Sequence, residues 1–90
     1  MDLLFEYDAQ KSNSNKTKHG VDFIEAQNLW SGGILVITTA KTLDDEQRFA
    51  AIGKLGEKHW VAFYTMRDEV IRLISVRRAR LGEIKYYESL

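Results

Sequence analysis

The sequence predicts an α+β fold in the order β-α-α-β-β-β-β-α, with an antiparallel sheet packed against helices. Three observations lead there. Ninety residues fall short of the ~100 to 150 usual for one domain, so residues 1–90 are expected to form a single unit with one core. From Ile34 onward the pattern changes from helical spacing to the β-rich runs ILVIT, RFAAIGKL, HWVAFYT and VIRLISV. After Ala79 a helical stripe returns.

Each element has its own local reason. Leu3 to Tyr7 is a short candidate strand that stops at Asp8, whose carboxylate can accept a bond from a free N–H at a helix start. Gly20 stands where that helix needs a left-handed end. Between them Lys11, Asn15, Lys18 and His19 share one helical face. Asp22 can cap a second short helix carrying the stripe Phe23, Ala26, Leu29 and Trp30, and Ser31-Gly32-Gly33 breaks it. ILVIT reads as a strand, and Ala40 to Gln47, polar and acidic, as a loop. RFAAIGKL alternates, with Phe49, Ala51 and Leu55 against Arg48, Ala50, Ile52 and Lys54. HWVAFYT is apolar on both faces and reads as a central, doubly covered strand. Tight turns at LGEK and MRDE join these two strands and VIRLISV into an antiparallel meander. The closing helix places Leu81, Ile84 and Tyr87 on one stripe, and Gly82 costs it about 1 kcal/mol relative to alanine.

Composition excludes several function classes. There is no cysteine, hence no disulfide or thiolate site. The longest apolar run, Ile34 to Ile37, is too short to span a membrane, and MDLLFEYD lacks the features of a secretion signal, so a soluble cytoplasmic protein is expected. Neither histidine has a partner at metal-ligand spacing, and Gly32-Gly33 is no nucleotide fingerprint, so neither metal nor cofactor is expected. The 13 basic and 13 acidic side chains cancel, yet their distribution is uneven. Arg67, Arg72, Arg77, Arg78, Arg80 and Lys85 crowd the last third, and arginine is the side chain suited to bidentate phosphate contact.

The sharpest signal is Arg72, which interrupts an apolar row formed with Val70, Ile74 and Val76. A position near a sheet edge, or a carboxylate partner, would explain it; so would a phosphate clamp. In a regular strand Arg72 and Arg78 face the same way, whereas Arg72 and Arg77 face apart unless the strand bends or ends near Ser75. His19 at a helix end suits interaction with the dipole or proton transfer, and His59 beside Trp60 suits a structural place. Tyr86 and Tyr87 fit helix packing, with base stacking the alternative. The polar stretch between Tyr7 and Val21 has the composition of a linker or of a surface helix.

FEYDAQKSNSNKTKHGVDF resembles the F-E-W/Y-D-x-x-K-x-x-x-N-x-x-K-H-G-V-x-F opening of the BrnT family of type II toxins. IRLISVRRAR, followed by a helix ending in YYE, resembles that family's I-R-I-I-S-A/V-R-x-A segment, and RFAAIGKL and the strand ending YTMR fit its middle part. Met66 departs from the acidic residue common before the arginine, and Gly82 departs within the last helix. The resemblance implies a RelE-like fold, an RNA substrate, ribonuclease activity that arrests translation, and neutralisation by a BrnA-like antitoxin in a heterotetramer. It also implies that operator DNA is bound only through the antitoxin.

For metal-independent cleavage, in which a ribose 2′-hydroxyl attacks the adjacent phosphate, the expected catalytic residues are Arg72, Arg77 and His19. Lys11, Asn15, Lys18, Arg67 and Arg78 are the expected RNA-binding residues, with Lys18 an alternative for proton transfer. With Met66 in the acidic slot, a catalytically degenerate binding subunit is the rival reading. Direct DNA binding through the arginines from 77 onward lacks any helix-turn-helix or basic-zipper pattern.

Overall fold

The computed structural model describes residues 3–39 and 46–89. Strand β1 (Leu4–Glu6) leads into α1 (Ala9–His19), α2 (Phe23–Ala26) and a 3₁₀ turn (Gln27–Ser31). Strands β2 (Leu35–Thr38), β3 (Phe49–Leu55), β4 (Lys58–Arg67) and β5 (Val70–Arg78) follow, and α3 (Leu81–Glu88) closes the order. Residues 40–45, most of the expected acidic loop, lie outside the described residues, as does Asp2. No helix among the described residues is long and apolar enough to cross a membrane.

The five strands form one sheet in the order β1-β5-β4-β3-β2. It is not wholly antiparallel, as the sequence pattern predicts: β1 runs parallel to β5, pairing Leu4 with Val70, Phe5 with Ile71 and Glu6 with Arg72. The meander β3-β4-β5 sets the direction of β5, and β1 reaches its free edge across a connection long enough to allow a parallel pair. Leu55 and Lys58 frame a two-residue turn with Gly56 at φ 63°. Asp68 and Glu69 form the next turn at φ 50° and 69°, the left-handed geometry that matches the twist of a hairpin.

Both faces of the sheet carry apolar clusters, which is why β4 is apolar on both sides from Trp60 to Tyr64. On the inner face Trp60, Ala62, Tyr64, Ala51, Ile71, Leu73 and Val76 pack against Phe23, Ala26 and Leu29. Trp30 joins this layer edge-on to Phe5 at 5.2 Å and to Tyr64 at 5.4 Å. The outer face holds a smaller cluster of Ala50, Ile52 and Val61, against which Phe63, Ala79 and Tyr87 pack. Here α3 covers only part of the sheet. Its stripe is narrower than the sequence predicts, because Leu81 is 68% exposed while Ile84 and Tyr87 are half-buried. Polar pins hold the helix instead: Tyr87 Oη donates to Gly33 O at 2.7 Å, His59 Nε2 meets Glu88 Oε1 at 2.6 Å, and Arg77 holds Glu83.

Helix α1 forms as its caps predict. Asp8 Oδ1 accepts from Lys11 N at 3.0 Å, and Gly20 at φ 87° donates to Lys16 O at 2.9 Å. Its buried side is polar: Ser12 Oγ accepts from Phe23 N, Asn15 Nδ2 donates to Val21 O at 2.7 Å, and Asn15 Oδ1 accepts from Val76 N at 3.0 Å. Beyond Arg72, β1 no longer pairs with β5, and α1 satisfies the strand edge there.

Candidate nucleic-acid interface

The site is built around an irregularity in β5. Tyr64 pairs with Leu73 but the adjacent Phe63 pairs with Ser75, so Ile74 is an extra residue without a partner on β4. One added residue inverts the alternation. Before the bulge, Ile71 and Leu73 face inward and Arg72 outward; after it, Val76 and Arg78 face inward and Ser75 and Arg77 outward. Arg72 and Arg77 therefore share the outer face, as the sequence allowed only for a strand that bends near Ser75. Two expectations from regular alternation are corrected by the same bulge: Val76 lies opposite Arg72, and so does Arg78, whose guanidinium sits 5.5 Å from the Trp60 ring on the inner side.

The outer-face arginines differ in what they already hold. Arg77 is tied: Nη1 and Nη2 donate to the two carboxylate oxygens of Glu83 at 2.8 and 2.7 Å, and its guanidinium lies 5.3 Å from the Phe63 ring. The paired carboxylate raises the Arg77 pKa, and in return the guanidinium holds the Glu83 carboxyl below the usual carboxylate range. Arg72 is looser. Its Nη1 lies 3.6 Å from Glu6 Oε1, too far for a hydrogen bond, and its side chain is 35% exposed. Arg67 is exposed at the hairpin end, 3.4 Å from Glu46.

Beside the bulge, Lys11, Ser14, Asn15, Lys18 and His19 of α1 line a hollow of about 180 Å³ with Ile74 and Ser75 of β5. The expected face of α1 thus meets the strand at Ser75, which shares its sheet face with Arg72 and Arg77. Asn15 differs from the other three. It is 6% exposed and its amide is bonded to Val21 and Val76, which makes it a tie between α1 and the sheet. Lys11, Lys18 and His19 are exposed. A larger hollow of about 280 Å³, between the start of β2 and the end of α3, is lined by Gly33, Ile34, Leu35, Tyr87 and Glu88 and contains none of the predicted residues.

Met66 pairs with Ile71 and faces inward, so a side chain in that slot points away from Arg72 and Arg77. A carboxylate does stand beside Arg72, but it belongs to Glu6, its partner across the parallel pair. The next residue across the sheet is Thr65, paired with Arg72, 1% exposed, with no hydrogen bond to Oγ1. Sequence reasoning assigned neither Glu6 nor Thr65 a role. Alternation was legible in β5 only up to the bulge, and which strands lie side by side, and in what register, was not. Among the described residues no group of three or more His, Asp or Glu side chains is placed to hold a metal ion.

Comparison with known proteins agrees with the motif resemblance over most of its length. No curated protein matches it. The family described as a ribonuclease toxin, BrnT, of type II toxin-antitoxin systems matches residues 7–83, which takes in α1, all of β2 to β5 and the start of α3. A toxin of this type has an antitoxin as its partner. The chain belongs to the family of BrnT ribonuclease toxins of type II toxin-antitoxin systems.

Proposed function

We propose that this chain is a metal-independent endoribonuclease of RelE-like fold, acting in the cytoplasm to cleave RNA and arrest translation. A BrnA-like antitoxin neutralises it in a heterotetramer, and operator DNA is reached only through that antitoxin. The observation that carries the reading is the bulge at Ile74, which turns Arg72 and Arg77 to one sheet face next to the cationic side of α1. Cleavage of this kind requires stabilisation of charge developing on a phosphate and removal of a proton from a 2′-hydroxyl. Arg72, half-exposed and without a hydrogen bond, is free to hold the phosphate. Arg77, bidentate to Glu83 on the same face, lends positive charge and orients the end of the site. Lys11 and Lys18 hold the RNA backbone along the edge of β5, His19 beside them serves proton transfer, and Arg67 extends the cationic face toward the hairpin. Asn15 and Arg78 leave the RNA-binding set, the first because its amide is used within the fold, the second because it faces the other way.

One observation favours the rival reading of a binding subunit without catalysis: in this structure both terminal nitrogens of Arg77 are occupied by Glu83. Induction of the chain without an antitoxin separates the two readings. Growth arrest with RNA fragments ending in 2′,3′-cyclic phosphate, absent for a folded Arg72→Ala variant, is the expected result. Normal growth and intact RNA with folded, expressed protein would overturn the ribonuclease reading, and a fully toxic Arg72→Ala would remove Arg72 from it.

A further inference from the structure

We infer that Glu6 is the proton acceptor for the attacking 2′-hydroxyl, working beside Arg72; this rests on the ribonuclease reading above. A base is needed on the outer face, and the carboxylates there are not equivalent. Glu83 is consumed by Arg77 and by the backbone N–H of Arg80, which donates to it at 2.7 Å. The slot at Met66 faces inward and holds no proton acceptor of use. Glu6 is different. Its side chain is 43% exposed, accepts no hydrogen bond among the described residues, and meets Arg72 only at 3.6 Å.

Position argues further than availability. Glu6, Arg72 and Thr65 are consecutive partners across β1, β5 and β4, so their side chains stand in one line on one face. Neighbouring strands are about 4.8 Å apart, which sets the carboxylate one strand to the side of a phosphate seated on Arg72. In an RNA chain the 2′-oxygen is the atom beside that phosphate. Thr65 adds an independent sign: a side chain 1% exposed, aimed at this face, whose hydroxyl has no partner among the described residues. Arg48, one residue before β3 and on the Ala50 side by alternation, has an Nε without a partner as well. Unspent polar groups thus gather around Arg72, whereas Arg77 and Glu83 satisfy each other.

The step balances without a co-reactant. The 2′-hydroxyl gives its proton to Glu6 as its oxygen forms a bond to phosphorus. The bond from phosphorus to the 5′-oxygen breaks, that oxygen takes a proton from water, and the resulting hydroxide recovers the proton from Glu6. The products are a 2′,3′-cyclic phosphate and a 5′-hydroxyl.

The test uses the purified full-length chain and a synthetic single-stranded RNA of mixed sequence under single-turnover conditions. Binding is measured separately on the same oligonucleotide carrying 2′-O-methyl groups throughout, which has no attacking hydroxyl. Glu6→Gln is expected to slow cleavage by roughly 10²- to 10⁴-fold, the usual worth of a general base, with binding unchanged. Glu6→Asp, which keeps the carboxylate, should recover part of the rate. The wild-type rate is expected to fall toward acid pH, and in Glu6→Gln that fall should disappear. Arg72 of β5 is the charged group in direct contact with Glu6, and Arg67 and Arg48 are further cations of the same face. Arg72→Ala, by contrast, should lose binding as well as rate. Wild-type cleavage and pH profile in Glu6→Gln would overturn the inference, as would equal losses of binding and cleavage. A wild-type chain that cleaves no RNA would instead overturn the ribonuclease reading itself.

Discussion

Asn15 shows how a polar helix docks without an apolar stripe. The first eleven-residue helix, AQKSNSNKTKH, buries only Ser12 and Asn15, and both spend their polar atoms on backbone groups of other segments. Asn15→Ala leaves the Val76 N–H and the Val21 carbonyl without their partner. Each unsatisfied buried group costs about 1 to 3 kcal/mol, so a loss of roughly 2 to 4 kcal/mol is expected, read as a lower midpoint in urea denaturation. A midpoint equal to the wild type would return Asn15 to the RNA-binding set. At the same scale Arg72 and Arg77 separate by their partners: one guanidinium is loosely held and the other clamped on both nitrogens. That difference is why loss of function on truncating Arg72 reports on chemistry, while the same change at Arg77 also loosens α3.

Element by element, the bulge in β5 and the attachment of α3 decide the shape of the candidate site. A single unpaired residue, Ile74, reverses the facing of everything after it, which is worth more to the site than any side chain placed there. Helix α3 has no fully buried residue and depends on its polar pins. Because Arg77 depresses the Glu83 pKa in the folded state, this pin contributes stability above the ordinary carboxylate value of 4.5. The contribution is lost as pH falls through the lower, folded value. Amide-exchange protection in residues 81–88 is therefore expected to drop in that acid window in the wild type. Glu83→Gln should show the reduced protection already at neutral pH, and acid-insensitive protection in both proteins would show that apolar contacts suffice.

Across the whole molecule, zero net charge and a cationic face coexist because acids and bases are segregated. Several cations are already paired in the fold: Lys16 with Glu25 at 2.6 Å, Arg77 with Glu83, and Arg67 with Glu46. Around the candidate site Lys11 and Lys18 are exposed and Arg72 is only loosely paired, so these are the cations there left to meet phosphate. Three phosphate contacts to single-stranded RNA release few counterions, so the slope of log affinity against log salt is expected near about −2, at roughly −0.7 per contact. A slope several times steeper, measured with uncleavable RNA, would mean that paired arginines open to the backbone on binding.

Caps, turns and the doubly apolar β4 were legible in the sequence because they depend on local chemistry: a carboxylate before a helix, a glycine after it, a two-residue turn between alternating runs. The motifs of the family were legible for the same reason, as residues in a row. Facing and neighbourhood were not. Regular alternation put Arg78 with Arg72 and Arg77 apart from it, and the unpaired Ile74 exchanged them. A bulge has no signature in IRLISV, since the extra residue is defined by the ladder of β4. Glu6 was legible only as a letter of the opening motif, because its place beside Arg72 comes from a parallel pairing between the two ends of the chain. Hydrophobic period and capping act over one turn or one strand, so the sequence alone determined the elements. Strand register is a property of two segments at once, and only the tertiary structure decided which charges meet.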